Sequence, residues 1–267
     1  MKIICGFIAP DSGQINICGY DIVEQPIEAK GKVGYLPEGA PSYSDMTVID
    51  FLHFIMQIRQ MEVGDRKHRF EYVVDELRIQ NVLYQRIDTL SKGFKRRVGL
   101  AQALIHDPQV LIMDEPTDGL DPNQKHHVRS LINSLSKDKI VIISTHILEE
   151  VTAVCTRAMI VAEGKVLTDS TPQELVNQSR YNHALSVTAD NEETIKQVCE
   201  QIATIQSFEY NAQNKSWFLF TEEDKQAEAY NQLNQHIHKN SLPLNNLRIE
   251  AGRLDEVFRE ITSGSLS

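Results

Sequence analysis

The chain has 267 residues, with 41% apolar and 24% charged content and a formal net charge of −10 at pH 7. That length accommodates one to two domains with a sizeable core, and the acidic balance argues against a nucleic-acid binder held by phosphate neutralisation. Cys5, Cys18, Cys155 and Cys199 are scattered, without CxxC or metal-ligand spacing, and read as small apolar residues of a reducing compartment.

His126-His127 and His236-x-His238 lack companions at ligand spacing and read as surface histidines. No apolar run approaches the ~20 residues of a membrane span, and residues 1–9 are too short for a signal peptide. The expectation is a cytoplasmic protein, and any membrane role must come through a partner.

In chain order, residues 1–6 combine apolar helical character with a stop at Gly6 and no N-cap, so they read as the tail of a helix. A turn over 11–13 leads to a half-buried strand at 14–18, and a second strand at 32–38 runs into a loop at 39–44. Thr47-Val48-Ile49-Asp50 has the form of a capping box and opens a helix to about residue 60. A second helix over about 65–77 and a short piece near Val82 make this a helical insertion, hence a subdomain.

Ser91 and Gly93 open a helix over 90–104 with Ser91 as N-cap. After a turn at 118–122, Pro122 takes the first position of another helix. Residues 140–144 form an apolar run read as a strand buried on both faces, followed by a helix to about 154 and a hairpin over 158–167. Thr171 caps a short helix. The order from 184 onwards is strand, helix, two hairpin strands, helix (222–239) and a last strand (247–250), the split βαβ arrangement. This region has no clustered acid, base or nucleophile and reads as an accessory domain.

The centre of the chain is Val110-Leu111-Ile112-Met113-Asp114-Glu115-Pro116. Four large apolar residues bounded by charge and proline predict a strand buried on both faces of a parallel sheet. Its end carries adjacent carboxylates. Either they cap a strand at the surface or they serve a ligand, because open α/β sheets bind ligands at the carboxyl ends of their strands.

Five segments in order carry a family resemblance. Residues 110–116 are similar to the Walker B strand of ATP-binding cassette (ABC) proteins. Leu90-Ser91-Lys92-Gly93-Phe94 resembles their LSGGQ signature, Gly119-Leu120-Asp121 their D-loop, Ser144-Thr145-His146 their switch-histidine segment and Tyr35-Leu36-Pro37-Glu38 their Q-loop. The lysine after Ser91, the acid at Glu38 and the added C-terminal domain resemble single-cassette exporter subunits, including gliding-motility-associated ones.

The resemblance implies an α/β fold: a P-loop NTPase-like cassette over 1–180 with a helical subdomain at about 41–97, then a small ferredoxin-like α+β domain over 181–267. It implies ATP and Mg²⁺ as ligands and ATP hydrolysis coupled to transport. Asp114 would bind Mg²⁺, Glu38 would sense Mg²⁺ or the attacking water, Glu115 would orient that water and His146 would contact the γ-phosphate. Ser91, Lys92, Gly93 and Phe94 would meet a nucleotide held by a second cassette, expected to be an identical copy, and Asp121 would act across that interface. A separate multi-span permease would dock on about 38–85, holding the protein at the inner face of the cell membrane.

Lys95, Arg96 and Arg97 are left with two readings, a phosphate contact or a solvated face. Lys92 and Phe94 replace the usual Gly and Gln of the signature, and Phe94 removes an amide that could hydrogen-bond ribose or a neighbouring loop. No GxxxxGK[ST] occurs in the 267 residues, so the chain reads as starting just past its phosphate loop, roughly 30–40 residues late on the family pattern. As written it is expected to bind ATP with almost no affinity and to be poorly stable. The alternative is a regulatory or structural protein with the cassette fold that does not hydrolyse ATP. A third, a soluble cassette ATPase acting on ribosomes or DNA, is disfavoured by the acidic charge and the absence of long heptads.

Overall fold

The computed structural model describes residues 1–39, 43–189, 191–212, 214–222, 224–238 and 244–264. Parts of three expected features therefore lie outside the described residues: the loop at 39–44, the hairpin turn around residue 213 and both ends of the helix read over 222–239. Two compact units divide the chain, Met1–Val154 and Cys155–Ser267. Among the described residues no helix is long and apolar enough to cross a membrane.

In the first unit, residues 1–7 form hydrogen-bonded turns that end at Gly6, whose φ of +68° is the left-handed stop expected of a helix tail. The strand expected over 14–18 shortens to β1 (Asn16–Ile17), paired with β2 (Tyr20–Asp21). A short helix, α1 (Pro26–Gly31), precedes β3 (Val33–Leu36). Then come α2 (Val48–Ile58), α3 (Val63–Glu76), α4 (Lys92–Leu104), β4 (Val110–Asp114), α5 (Pro122–Leu135), β5 (Ile140–Ser144) and α6 (Leu148–Val154). The capping signals act locally. The Thr47 hydroxyl accepts from the Asp50 N–H and donates to its carboxylate, so the box closes on the side chain.

β3, β4 and β5 form a parallel sheet with β4 in the centre. Alternation along β4 sends Leu111 and Met113 into a core built with α2 to α5, and Val110 and Ile112 into a second core with Cys5, Ile17, Ile22 and Ala29. Leu111, Ile112 and Met113 have no solvent exposure. Burial of such side chains is worth about 1.5–3 kcal/mol each, which anchors the strand that carries the carboxylates.

β5 departs from expectation. Among the described residues it is the edge strand of its sheet, and Ile140 is 62% exposed while Ile142 is 36% exposed. The apolar run is the same on paper as that of β4, but a strand with one neighbour lacks the cover that the central strand has.

The second unit begins with a hairpin, β6 (Ala158–Ala162) and β7 (Lys165–Ser170), and α7 (Pro172–Asn177), capped by a full Thr171–Glu174 box. β8 (Ala184–Ala189), α8 (Glu192–Gln201), β9 (Ile205–Asn211), β10 (Ser216–Thr221), α9 (Gln226–His238) and β11 (Leu244–Ile249) follow the expected split βαβ order. The sheet order β11-β8-β10-β9 is antiparallel throughout. Trp217 and Leu219 face the α8/α9 side, while Phe218 and Phe220 pack with Tyr181 and Ala184.

A final helix, α10 (Leu254–Ser263), was not anticipated. Its buried Glu256 accepts from Arg180 at 2.9 Å and from the Ser179 hydroxyl. The Arg253 guanidinium lies 3.8 Å from the Tyr181 ring centroid.

Candidate active site

The parallel register aligns three strand ends. Leu36 pairs with Met113, Met113 with Ile143, and Asp114 with Ser144. Glu38, Asp114, Glu115 and the Ser144–His146 segment therefore emerge at one edge of the sheet, where an α/β fold places its ligands.

Asp114 ends β4, and its carboxylate accepts from the Ser144 hydroxyl. Glu115 follows with φ of +49°, the left-handed region that non-glycine residues seldom adopt. Its N–H donates to the Ser144 carbonyl at 2.9 Å, which ties the turn to β5. Backbone strain of this kind clusters at functional sites. The Glu115 side chain is 17% exposed, and its Oε1 lies 2.8 Å from His146 Nδ1 and 3.0 Å from the His146 backbone nitrogen. That hydrogen bond and the carboxylate charge raise the imidazole pKa above its ordinary 6.5.

Thr145 donates to Glu150 at 2.9 Å and sits 3.5 Å from Glu115 Oε2. Burial pushes the Glu150 carboxyl above the usual carboxylate range, with Glu115 adding to the shift. Glu150 is 1% exposed, and its Oε1 has no hydrogen-bond partner among the described residues.

Glu38 is exposed, just beyond β3. Its neighbours Pro37 and Gly39 give their carbonyls to Arg96, at 2.8 and 3.1 Å. Arg96 also donates to the carbonyls of Asp114, Glu115 and Pro116. Neither sequence reading of Arg96 holds. At 5% exposure it is neither a solvated face nor free to reach phosphate, because its donors are spent on backbone.

Ser91 is the N-cap of α4, with its hydroxyl accepting from the Phe94 N–H. Lys92 is exposed and Gly93 is buried against the Gln124 side chain. Phe94 packs against the core and lies under the Arg97 guanidinium, 5.4 Å from ring centroid to carbon. Asp121 caps α5 through Gln124, at 2.9 Å, with Pro122 at the first helical position. The signature segment and the D-loop segment thus meet within one unit.

The donor chemistry fits Mg²⁺. Asp114 and Glu38 offer hard carboxylate oxygens, the ligand type this ion takes. The described residues contain no group of three or more His, Cys, Asp or Glu side chains able to hold a metal. Phosphate and water would therefore complete the shell, as this ion favours.

A parallel sheet with adjacent carboxylates and a histidine at the carboxyl ends of its strands is the place where an α/β fold holds a ligand. Residues 1–118 match the family described as ABC transporter. NatA of Bacillus subtilis, an ABC transporter ATP-binding protein, is 31% identical over 182 residues, covering 67% of this chain and 74% of NatA. Nod factor export ATP-binding protein I of Paraburkholderia xenovorans is 33% identical over 177 residues, 66% of this chain and 58% of that protein. The linearmycin resistance ATP-binding protein LnrL of B. subtilis is 32% identical over 179 residues, again with 58% of the relative covered. The chain thus spans little more than half the length of these last two. A solved ATP-binding subunit of an ABC transporter superposes with a TM-score of 0.61 at 28% identity, covering 66% of this chain and 74% of that one. The chain belongs to the family of ABC transporter ATP-binding proteins.

Proposed function

We propose that this protein is the ATP-binding and hydrolysing subunit of an exporter, driving a separate multi-span permease from the cytoplasmic face of the membrane. The observation that carries this reading is the convergence of Asp114, Glu115 and His146 at the ends of β4 and β5, with Glu115 held by His146 through two contacts. Phosphoryl transfer needs positioning and charge stabilisation more than covalent chemistry from the protein; Glu115 and His146 would supply positioning, and Asp114 would supply charge stabilisation through the Mg²⁺ it holds.

Glu115 Oε1 is occupied by His146, so Oε2 is the oxygen that orients and polarises the attacking water. His146 is 73% exposed at its side chain and pairs with Glu115 through Nδ1, which leaves Nε2 to donate to the terminal phosphate. Asp114 would hold Mg²⁺, with Glu38 as its sensor; when bound, the ion neutralises phosphate charge. Ser91, Lys92 and Gly93 open α4, whose free N–H groups and dipole suit an anion, here the nucleotide of a second, identical cassette. Asp121 faces that same partner, and Phe94 supports the segment by packing.

The export direction is supported by the relative named for Nod factor export. Residues 181–267 are assigned an accessory role. The test is isolation of the protein from the membranes of its source cell. Co-purification of a multi-span protein with Mg²⁺-dependent ATP hydrolysis supports the reading. A complex with no hydrolysis, or association with ribosomes instead, overturns it.

A further inference from the structure

Arg96 is a buried guanidinium with no carboxylate among its hydrogen-bond acceptors in the described residues. Its Nη1 reaches the carbonyls of Pro37 and Gly39, on either side of Glu38. Its Nη2 reaches the carbonyls of Asp114 and Glu115, and its Nε that of Pro116 at 3.3 Å. One side chain from α4 thus joins the loop after β3 to the turn after β4.

We propose that Arg96 is a positioning residue for hydrolysis: its guanidinium locks the backbone on either side of Glu38 to the backbone of Asp114 and Glu115, fixing the spacing of the three carboxylates. This rests on the function proposed above.

Three physical points support it. First, a buried charge is tolerated when its hydrogen-bonding capacity is met, and here carbonyls meet it. Second, the fork is specific to arginine. Lysine offers three donors from a single point, whereas the planar guanidinium offers five in fixed directions. Third, the acids nearest to Arg96, namely Asp118, Asp114, Glu115 and Glu38, lie on the two segments it joins, so its guanidinium faces the carboxylates it positions. The sequence carried a signal for this. Arg96 sits three residues after Gly93 and four before Leu100, both buried, and so falls on the inner stripe of α4.

The experiment compares wild type, Arg96→Lys and Glu115→Gln as the permease-bound protein from its source cell, measuring kcat, KM for MgATP, the Mg²⁺ concentration at half-maximal rate and the melting temperature. Hydrogen exchange is followed in peptides covering 33–39 and 110–118. Arg96→Lys is expected to keep KM while kcat falls about 10²-fold, the scale of a roughly 1 Å misplacement. Its Mg²⁺ requirement should rise, and exchange should accelerate in both peptides together.

Gly39→Val is the second variant. Gly39 is exposed with φ of +90°, so the substitution shifts its carbonyl away from Arg96 without entering the core. It should reproduce the kcat loss with KM kept, even if Arg96→Lys proves unstable. A kcat equal to wild type in either folded variant overturns the proposal while leaving the function intact. A wild type that does not hydrolyse ATP, or a fully active Glu115→Gln, overturns the function and the positioning role with it.

Discussion

His146 and Glu115 hold each other through a single oxygen: Nδ1 and the backbone nitrogen of His146 lie 2.8 and 3.0 Å from Glu115 Oε1. The backbone contact fixes where the carboxylate points, and the ring contact makes its orientation depend on pH. The hydrogen bond to Glu115 raises the His146 pKa. A raised folded-state value means the charged pair contributes fully below the ordinary imidazole value of 6.5 and is lost as pH rises through the folded value. An NMR titration should therefore place His146 above the ordinary imidazole range, and Glu115→Gln should bring it back down. A wild-type His146 titrating at or below that range would contradict the pairing.

The Ser144 hydroxyl donates to Asp114 across the β4–β5 register. A hydrogen bond to a charged group is worth about 1.5–3 kcal/mol, and Asp114 is partly buried, so Ser144→Ala should lower stability by about 1–2 kcal/mol. The freed carboxylate should also need more Mg²⁺ for half-maximal hydrolysis. Denaturant unfolding and a Mg²⁺ titration read the two effects separately.

Gly34 lies on β3 where the strand crosses α4. A Cβ there would run into the Ala103 carbonyl oxygen and sit 2.8 Å from Pro108 Cγ. Both partners are fixed by helix or ring geometry, so neither can yield cheaply. Gly34→Ala should cost about 2–4 kcal/mol by overpacking, seen as a lower denaturation midpoint. An unchanged midpoint would show that β3 and α4 are not packed this closely.

Burial, with the Arg59 charge, pushes the His106 imidazole down to about 4; Arg69 adds to this, while the Val33 carbonyl and Asp107 oppose it. Its Nε2 donates to Val33 at 3.1 Å, and Nδ1 is buried without a partner among the described residues. A depressed folded-state value gives stability that is present above 6.5 and lost as pH falls through about 4. The shift corresponds to a few kcal/mol, on the order of 3. Replacing His106 with Gln should flatten the loss of stability between those two pH values.

Much of the fold was legible because its signals are local. Thr47, Ser91 and Thr171 each cap the helix their chemistry foretells. The alternating apolar pattern of the C-terminal strands gave the split βαβ order.

What was not legible depended on neighbours. Ile140 and Val110 belong to similar apolar runs, yet one run lies at a sheet edge and the other at its centre. α1 carries one start signal, Pro26 in its first turn, but it is only six residues long and has little apolar periodicity, with Ile27 82% exposed, so its helical pattern is weak. α10 did carry a signal, Leu254, Val257, Phe258 and Ile261 at helical spacing. The candidate site was visible as carboxylates, histidine and glycine in order. The His146–Glu115 pairing and the role of Arg96 were not, because both arise from strand register and helix docking.

The most direct measurement is ATP binding and hydrolysis by Glu115→Gln in the permease-bound protein from its source cell. Glu115 is assigned to the water and not to ATP affinity, so the variant should bind ATP as wild type does while hydrolysis falls about 10²–10⁴-fold, the range for loss of a general base. A Glu115→Gln protein that hydrolyses ATP at the wild-type rate would contradict the account.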